Sequence, residues 1–327
     1  MKVLVSTAPF GLADNTPIKL LDDAGIEFTV NPYDRKMSEE ELGEVITDFD
    51  CLIAGTEKIS KSVLANAQKL KLISRVGIGL DSVDLVAARN HNIQVTYTPD
   101  APSPAVAELT IGLMVSLLRC IHISNDAMHD GGWQRFFGRR LSESTIGVIG
   151  AGRIGSRVIE HLSGFHCHRI LVNDTDPGVE CRLPGYITMA SKESIFREAD
   201  VITIHVPLTQ DTRGMVGEHE FGIVKKNTVL INTARGGIVH EEALRIALEN
   251  GTLFGAAIDT FETEPYSGPL CKLKQCLLTS HMGSMSEDCR ARMEIEATQE
   301  VVRFVKGEVL SQEVPEAEYQ NQVFGKR

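Results

Sequence analysis

Residues 144–174, STIGVIGAGRIGSRVIEHLSGFHCHRILVND, constrain the fold more than any other stretch. Ile146, Val148 and Ile149 form a short apolar run, the pattern of a parallel strand buried on both faces. Gly150, Gly152 and Gly155 follow in G-x-G-x-x-G spacing. The first glycine permits a tight turn, the second lets backbone approach a pyrophosphate, and the third lets a helix pack closely on the strand. A helix over 153–162 starts there, so its free N–H groups and its dipole point at a phosphate. Ile170, Leu171 and Val172 make the next strand, which ends at Asp174, 19 residues past Gly155. An acid at that distance takes the ribose hydroxyls and repels a 2′-phosphate, so NAD is favoured over NADP. The rival reading, a glycine turn of purely structural use, leaves the acid unexplained.

Strand and helix alternate on both sides of this unit. Short apolar strands are expected at 2–7, 26–30, 51–54, 72–75 and 93–95, with helices at 14–24, 60–67 and 82–91. Ser38 and Glu41 have capping-box spacing for a further helix. Such alternation makes a parallel-sheet domain of its own. The proline-rich run from Thr98 to Pro104 reads as a crossing between domains. A long apolar helix over 105–123 follows, and Trp133 is read as packing, at a subunit contact. Further strands are expected at 201–204, 229–232, 255–258 and 277–279, and a closing helix over 287–306. The 327 residues suit two domains of ordinary size. The expected division is residues 1–98 completed by 286–327, and residues 99–285.

With 33 Lys+Arg against 44 Asp+Glu, the net charge of −11 argues against nucleic-acid or membrane-surface binding. No apolar run approaches the 18 or so residues of a membrane span, and MKVLVSTAPF is too short a run for a signal peptide. Seven scattered cysteines fit a reducing cytoplasm. Cys271 and Cys276 are expected to pack near a strand. His161, His166, Cys167 and His168 cluster without a second ligand pair, so no metal site is expected.

In open parallel sheets, ligands bind beyond the carboxyl ends of the strands. Three successive ends supply Arg235, Glu264 and His281. Arg235 can hold a carboxylate with its fork and polarise the carbonyl next to it. His281 can exchange a proton with the substrate oxygen. Glu264 can hold the second ring nitrogen and favour the charged form. That set suits reduction of a 2-oxo acid by a nicotinamide. In the first domain, the turn Arg75-Val76-Gly77-Ile78-Gly79 can cradle an anion, and can equally be a plain strand-to-helix turn.

At this point the chain resembles the D-isomer-specific 2-hydroxyacid dehydrogenases, in particular their phosphoglycerate dehydrogenase-like branch. RVGIGLDSVD, GVIGAGRIG, NTARGGIV with downstream EEAL, and DTFETEP followed by TSHMGS carry the resemblance, from about Gly77 to Val305. It implies an α/β fold of two doubly wound parallel-sheet domains, a Rossmann NAD-binding domain and a flavodoxin-like substrate-binding domain. It implies that Arg235, Glu264 and His281 are catalytic and that the backbone at Val76 and Gly77 binds the substrate carboxylate. Beside Gly150, Gly152, Gly155 and Asp174, it places cofactor contacts at Arg153, Ile154, His205, Val206, Pro207, Thr212, Thr233, Ala234 and Asp259. It also implies a homodimer built on the helix after the crossing, and a small 2-hydroxy or 2-oxo acid as substrate. Ser280, Ser284 and His240 depart from common family residues without removing a catalytic group. Phosphoglycerate-type members often carry an arginine where this chain runs Ala54-Gly55-Thr56-Glu57-Lys58, leaving Lys58 or Arg75 to meet a phosphate. A second reading is an NAD-sensing binding protein, like the corepressors that share the fold.

Overall fold

The computed structural model describes residues 1–324. The chain divides into two compact units, Met1–Pro102 together with the segment from Met285 onward, and Ser103–Ser284. The first crossing thus falls at Pro102, four residues beyond the expected end at 98. Thr98 stays with the first unit because its N–H donates to the Gly77 carbonyl at 3.2 Å and its hydroxyl accepts the Gly77 N–H at 2.8 Å. Residues 325–327 of the expected segment 286–327 lie outside the described residues.

The first unit has five strands: β1 (Lys2–Val5), β2 (Glu27–Val30), β3 (Cys51–Ala54), β4 (Leu72–Arg75) and β5 (Gln94–Tyr97). All pair in parallel, in the order β2-β1-β3-β4-β5. Alternate side chains serve opposite faces. Val3, Val5, Cys51, Ile53 and Leu72 pack with Leu21 and with Met293, Ala297 and Val301 of the helix Glu287–Lys306. Leu4, Leu52, Ile73 and Val95 pack with Leu42, Val63 and Leu85 on the other side. The capping box forms as expected: Ser38 accepts the Glu41 N–H while Glu41 accepts the Ser38 N–H.

The second unit has seven parallel strands: β6 (Thr145–Ile149), β7 (Arg169–Asn173), β8 (Ile187–Met189), β9 (Val201–Ile204), β10 (Val229–Asn232), β11 (Gly255–Ile258) and β12 (Cys276–Leu278). Their order is β12-β11-β10-β9-β6-β7-β8, the dinucleotide-binding order with one strand added at the edge. Ile146, Val148, Ile170, Val172 and Ile231 pack against the helices Ser103–Leu118 and Arg153–Ser163. Ile149, Leu171, Ile202, Ile204 and Leu230 pack on the opposite face with Ile195, Phe221 and Leu244.

Two expectations need correction. The helix over 105–123 is two helices, Ser103–Leu118 and Ile121–His129, because Cys120 takes a left-handed conformation (φ 52°) that interrupts the ladder. Cys271 is exposed, whereas Cys276 is buried in β12. Among the described residues no single helix is long and apolar enough to cross a membrane; the two helices around Cys120 pass by composition only together, bent by 67°.

Candidate active site

The glycine turn follows β6 directly. Gly150 has φ 89°, and a Cβ there would lie 2.6 Å from the His205 carbonyl oxygen. A Cβ on Gly155 would lie 2.0 Å from the Gly150 carbonyl oxygen, so the helix Arg153–Ser163 approaches the strand as closely as backbone permits. A Cβ on Gly152, in contrast, would meet nothing within 4 Å. Two glycines are thus demanded by packing, and the third borders open space at a helix N-terminus. This is the cradle a pyrophosphate fits, and the residues present suit a dinucleotide. Arg153 is exposed and Ile154 half-buried at the same helix start.

Asp174 closes this corner. Its Oδ2 accepts the Ala151 N–H at 2.7 Å and its Oδ1 accepts the Asp176 N–H at 2.8 Å. The acid expected to receive ribose hydroxyls therefore also ties β7 to the glycine turn. At the end of β9, the backbone of His205 and the side chain of Val206 lie against Gly150. His205 Nε2 and the Thr203 hydroxyl are 2.9 Å apart, Nδ1 is buried, and burial lowers the imidazole pKa to about 3. The Thr212 hydroxyl donates to the Pro207 carbonyl at 2.6 Å, so these two expected contacts form one turn.

Thr233, Ala234 and Arg235 follow β10. Thr233 shares a hydrogen bond with Thr110 at 3.0 Å. Buried Asn232, which sequence reasoning passed over, holds both flanks of the turn: it accepts the Ala234 N–H at 3.1 Å and donates to the Arg235 carbonyl at 2.9 Å. Its signal was a polar residue closing an otherwise apolar strand. Arg235 Nη1 donates to the Ala234 carbonyl at 2.7 Å. A Cβ on Gly236 would fall 2.0 Å from the Phe261 carbonyl, so only glycine lets the arginine turn meet the loop that carries Glu264.

Glu264 and His281 meet. His281 Nδ1 lies 2.9 Å from Glu264 Oε2 and 3.1 Å from Oε1, and Oε1 also accepts the Phe261 N–H at 3.0 Å. Both side chains are about one-third exposed, at 36% and 29%. With Nδ1 facing the carboxylate, Nε2 is the nitrogen left for proton exchange. Asp259, 1% exposed, accepts from the Thr279 hydroxyl at 2.6 Å, the Met282 N–H at 2.9 Å and the Gly283 N–H at 3.0 Å. Its carboxylate thereby organises the segment that presents His281.

Val76 and Gly77 belong to the first unit. The Val76 N–H donates to the Ala54 carbonyl at 2.8 Å, and the Gly77 N–H donates to the Thr98 hydroxyl. Both amides expected at the carboxylate already have acceptors.

Residues 111–283 match the family model described as D-isomer specific 2-hydroxyacid dehydrogenase, NAD binding domain. The chain is 36% identical over 298 residues to a D-3-phosphoglycerate dehydrogenase of Methanocaldococcus jannaschii, covering 89% of this chain and 56% of that relative. It thus spans little more than half the length of that protein. It is 35% identical to a glyoxylate reductase of Thermococcus litoralis, over 82% of this chain and 84% of the relative. A crystal structure of a Thermus thermophilus protein superposes with a TM-score of 0.88 at 32% identity, covering 96% of this chain and all of the other.

Proposed function

This chain belongs to the D-isomer specific 2-hydroxyacid dehydrogenase family, and we propose that it interconverts a small D-2-hydroxy acid and its 2-oxo acid with NAD as cofactor. The observation that carries the reading is the His281–Glu264 pair, held at 2.9 Å in the unit that also presents the glycine cradle and Arg235. When bound, the nicotinamide supplies or accepts the hydride.

Arg235 holds the substrate carboxylate with its fork and polarises the neighbouring carbonyl. In reduction, His281 Nε2 gives its proton to the carbonyl oxygen as that oxygen gains charge. In oxidation, the same nitrogen takes the hydroxyl proton. Glu264 fixes the ring through Nδ1 and leaves Nε2 for the proton.

The protein works as a homodimer in the cytoplasm. The helix Ile121–His129 buries none of its residues, and Trp133 and Phe137 beyond it are exposed, an apolar surface suited to a second copy. The free cysteines fit a reducing compartment. NADH oxidation with glyoxylate, hydroxypyruvate, pyruvate, 2-oxoglutarate and phosphohydroxypyruvate tests the activity. Turnover of at least one of the smaller acids is expected. NADH binding without turnover of any would favour a sensor of the same fold.

A further inference from the structure

The loop that carries Glu264 follows β11 without regular secondary structure, so no ladder fixes its amides. Carboxylates take two of them in succession. The Phe261 N–H donates to Glu264 Oε1 at 3.0 Å, and the Glu262 N–H donates to Glu241 Oε1 at 2.9 Å. Glu264 is the partner of His281. Glu241 lies outside the loop, in the first turn of the helix Glu241–Glu249, which starts beyond the arginine turn of β10. A hydrogen bond to an ionised acceptor is roughly twice as strong as one between neutral groups, so the Glu262 amide is firmly held.

Both ends of that bond are fixed. At the helix end, His240 Nδ1 accepts the Ala243 N–H at 3.2 Å, and the His240 N–H donates to the Val216 carbonyl at 2.9 Å. At the loop end, a Cβ on Gly236 would lie 2.4 Å from the Glu262 nitrogen, so the arginine turn touches the loop backbone to backbone. Phe261 stacks on Tyr266 with ring centroids 4.3 Å apart. A second contact to Glu262 is weaker: Arg213 meets its side chain at 3.3 Å, with both side chains more than half exposed. Glu241 is therefore the stronger tether of residue 262, and the Phe261 N–H beside it keeps its aim at Glu264.

We propose that Glu241 is a positioning residue: its carboxylate holds the Glu262 amide and so sets the neighbouring Phe261 amide, which orients Glu264 against His281. The inference rests on the dehydrogenase reading above. Every residue it invokes belongs to the unit Ser103–Ser284. Glu241 acts through the loop on the proton-transferring pair. The glycine cradle follows β6, two strands away from β10, so cofactor binding is spared.

The test is kcat with a turned-over 2-oxo acid, and NADH affinity by fluorescence, in the wild type, Glu241→Asp and Glu241→Gln. Aspartate keeps the negative charge at the helix N-terminus but withdraws the oxygen by one methylene. Glutamine removes the charge but keeps an oxygen within reach of the Glu262 amide. Glu241→Asp should lower kcat by about tenfold, the worth of one hydrogen bond to a charged group when it is felt in the transition state. Glu241→Gln should keep most of the activity, and neither should change NADH affinity much. In a Glu264→Ala background, Glu241→Asp should cost little more, because the residue it acts through is gone. If the carboxylate serves only the helix dipole, the order reverses, with aspartate active and glutamine impaired, and the proposal fails. It fails too if Glu241→Asp costs the same factor with and without Glu264, or if kcat and NADH affinity fall together. A wild type that turns over no 2-oxo acid would instead sink the dehydrogenase reading, and this inference with it.

Discussion

His281 donates its backbone N–H to the carbonyl oxygen of Asp259 at 2.8 Å, and it does so from a left-handed conformation with φ 51°. A non-glycine residue holds that conformation only when its surroundings impose it. Here the Asp259 carboxylate imposes it through Thr279, Met282 and Gly283.

Replacing Asp259 with Asn puts an amide donor where one of those groups must be accepted. The His281 segment should loosen, lowering kcat steeply and stability by about 1.5–3 kcal/mol, the usual worth of hydrogen bonds to a charged group. NADH affinity, followed by fluorescence, should change little. A large loss of affinity with kcat preserved would make Asp259 a cofactor contact rather than a loop anchor.

Asp174 has two roles to separate. The carboxylate disfavours a 2′-phosphate, so NADH should be preferred to NADPH. Asp174→Ala should narrow that preference. It should also weaken binding of both cofactors, because the Ala151 N–H loses its acceptor. The measurement is kcat/KM for both cofactors in both proteins. Equal or better use of NADPH by the wild type would refute the assignment.

His205 makes a prediction about acid stability. Burial lowers its pKa from 6.5 to about 3, so the folded chain keeps it neutral while the unfolded chain protonates it near its ordinary value. Its contribution is therefore fully present above about pH 6.5 and is lost as pH falls towards 3. Thermal unfolding of the wild type and His205→Gln should diverge in that window, with the variant losing less. Parallel Tm curves through the window would show that the ring is not buried as a neutral group.

Much of this was legible in the chain because buried parallel strands are continuous apolar runs, and their ends are where functional side chains collect. Arg235, Glu264 and His281 were singled out that way, and the structure brings the last two within 2.9 Å of each other. Strand β8 was not: Ile187–Met189 is a short edge strand with no buried residue, so it carries little apolar signal. The break at Cys120 was missed because cysteine announces no left-handed turn. Asp259 owes its anchoring role to partners brought together by the fold, such as Thr279 across 20 positions. Local pattern cannot show such a meeting.

The pair His281 and Glu264 yields the sharpest test. Reduction needs a proton on His281, and oxidation needs a vacant nitrogen. Reduction should therefore fail on the alkaline side of its profile and oxidation on the acid side. The Glu264 carboxylate, 2.9 Å from Nδ1, fixes the ring and leaves Nε2 for the proton exchange. Glu264→Gln removes the charge and keeps an acceptor for Nδ1–H and for the Phe261 N–H. Part of the activity should then be retained, with the loss falling on kcat rather than on NADH affinity. His281→Ala should lose about 10²–10⁴-fold in rate, the usual size of a general acid–base contribution. Profiles of kcat/KM against pH in both directions, for all three proteins, make the comparison. If His281→Ala keeps its rate in both directions, the ring does not carry the proton, and another group must supply it.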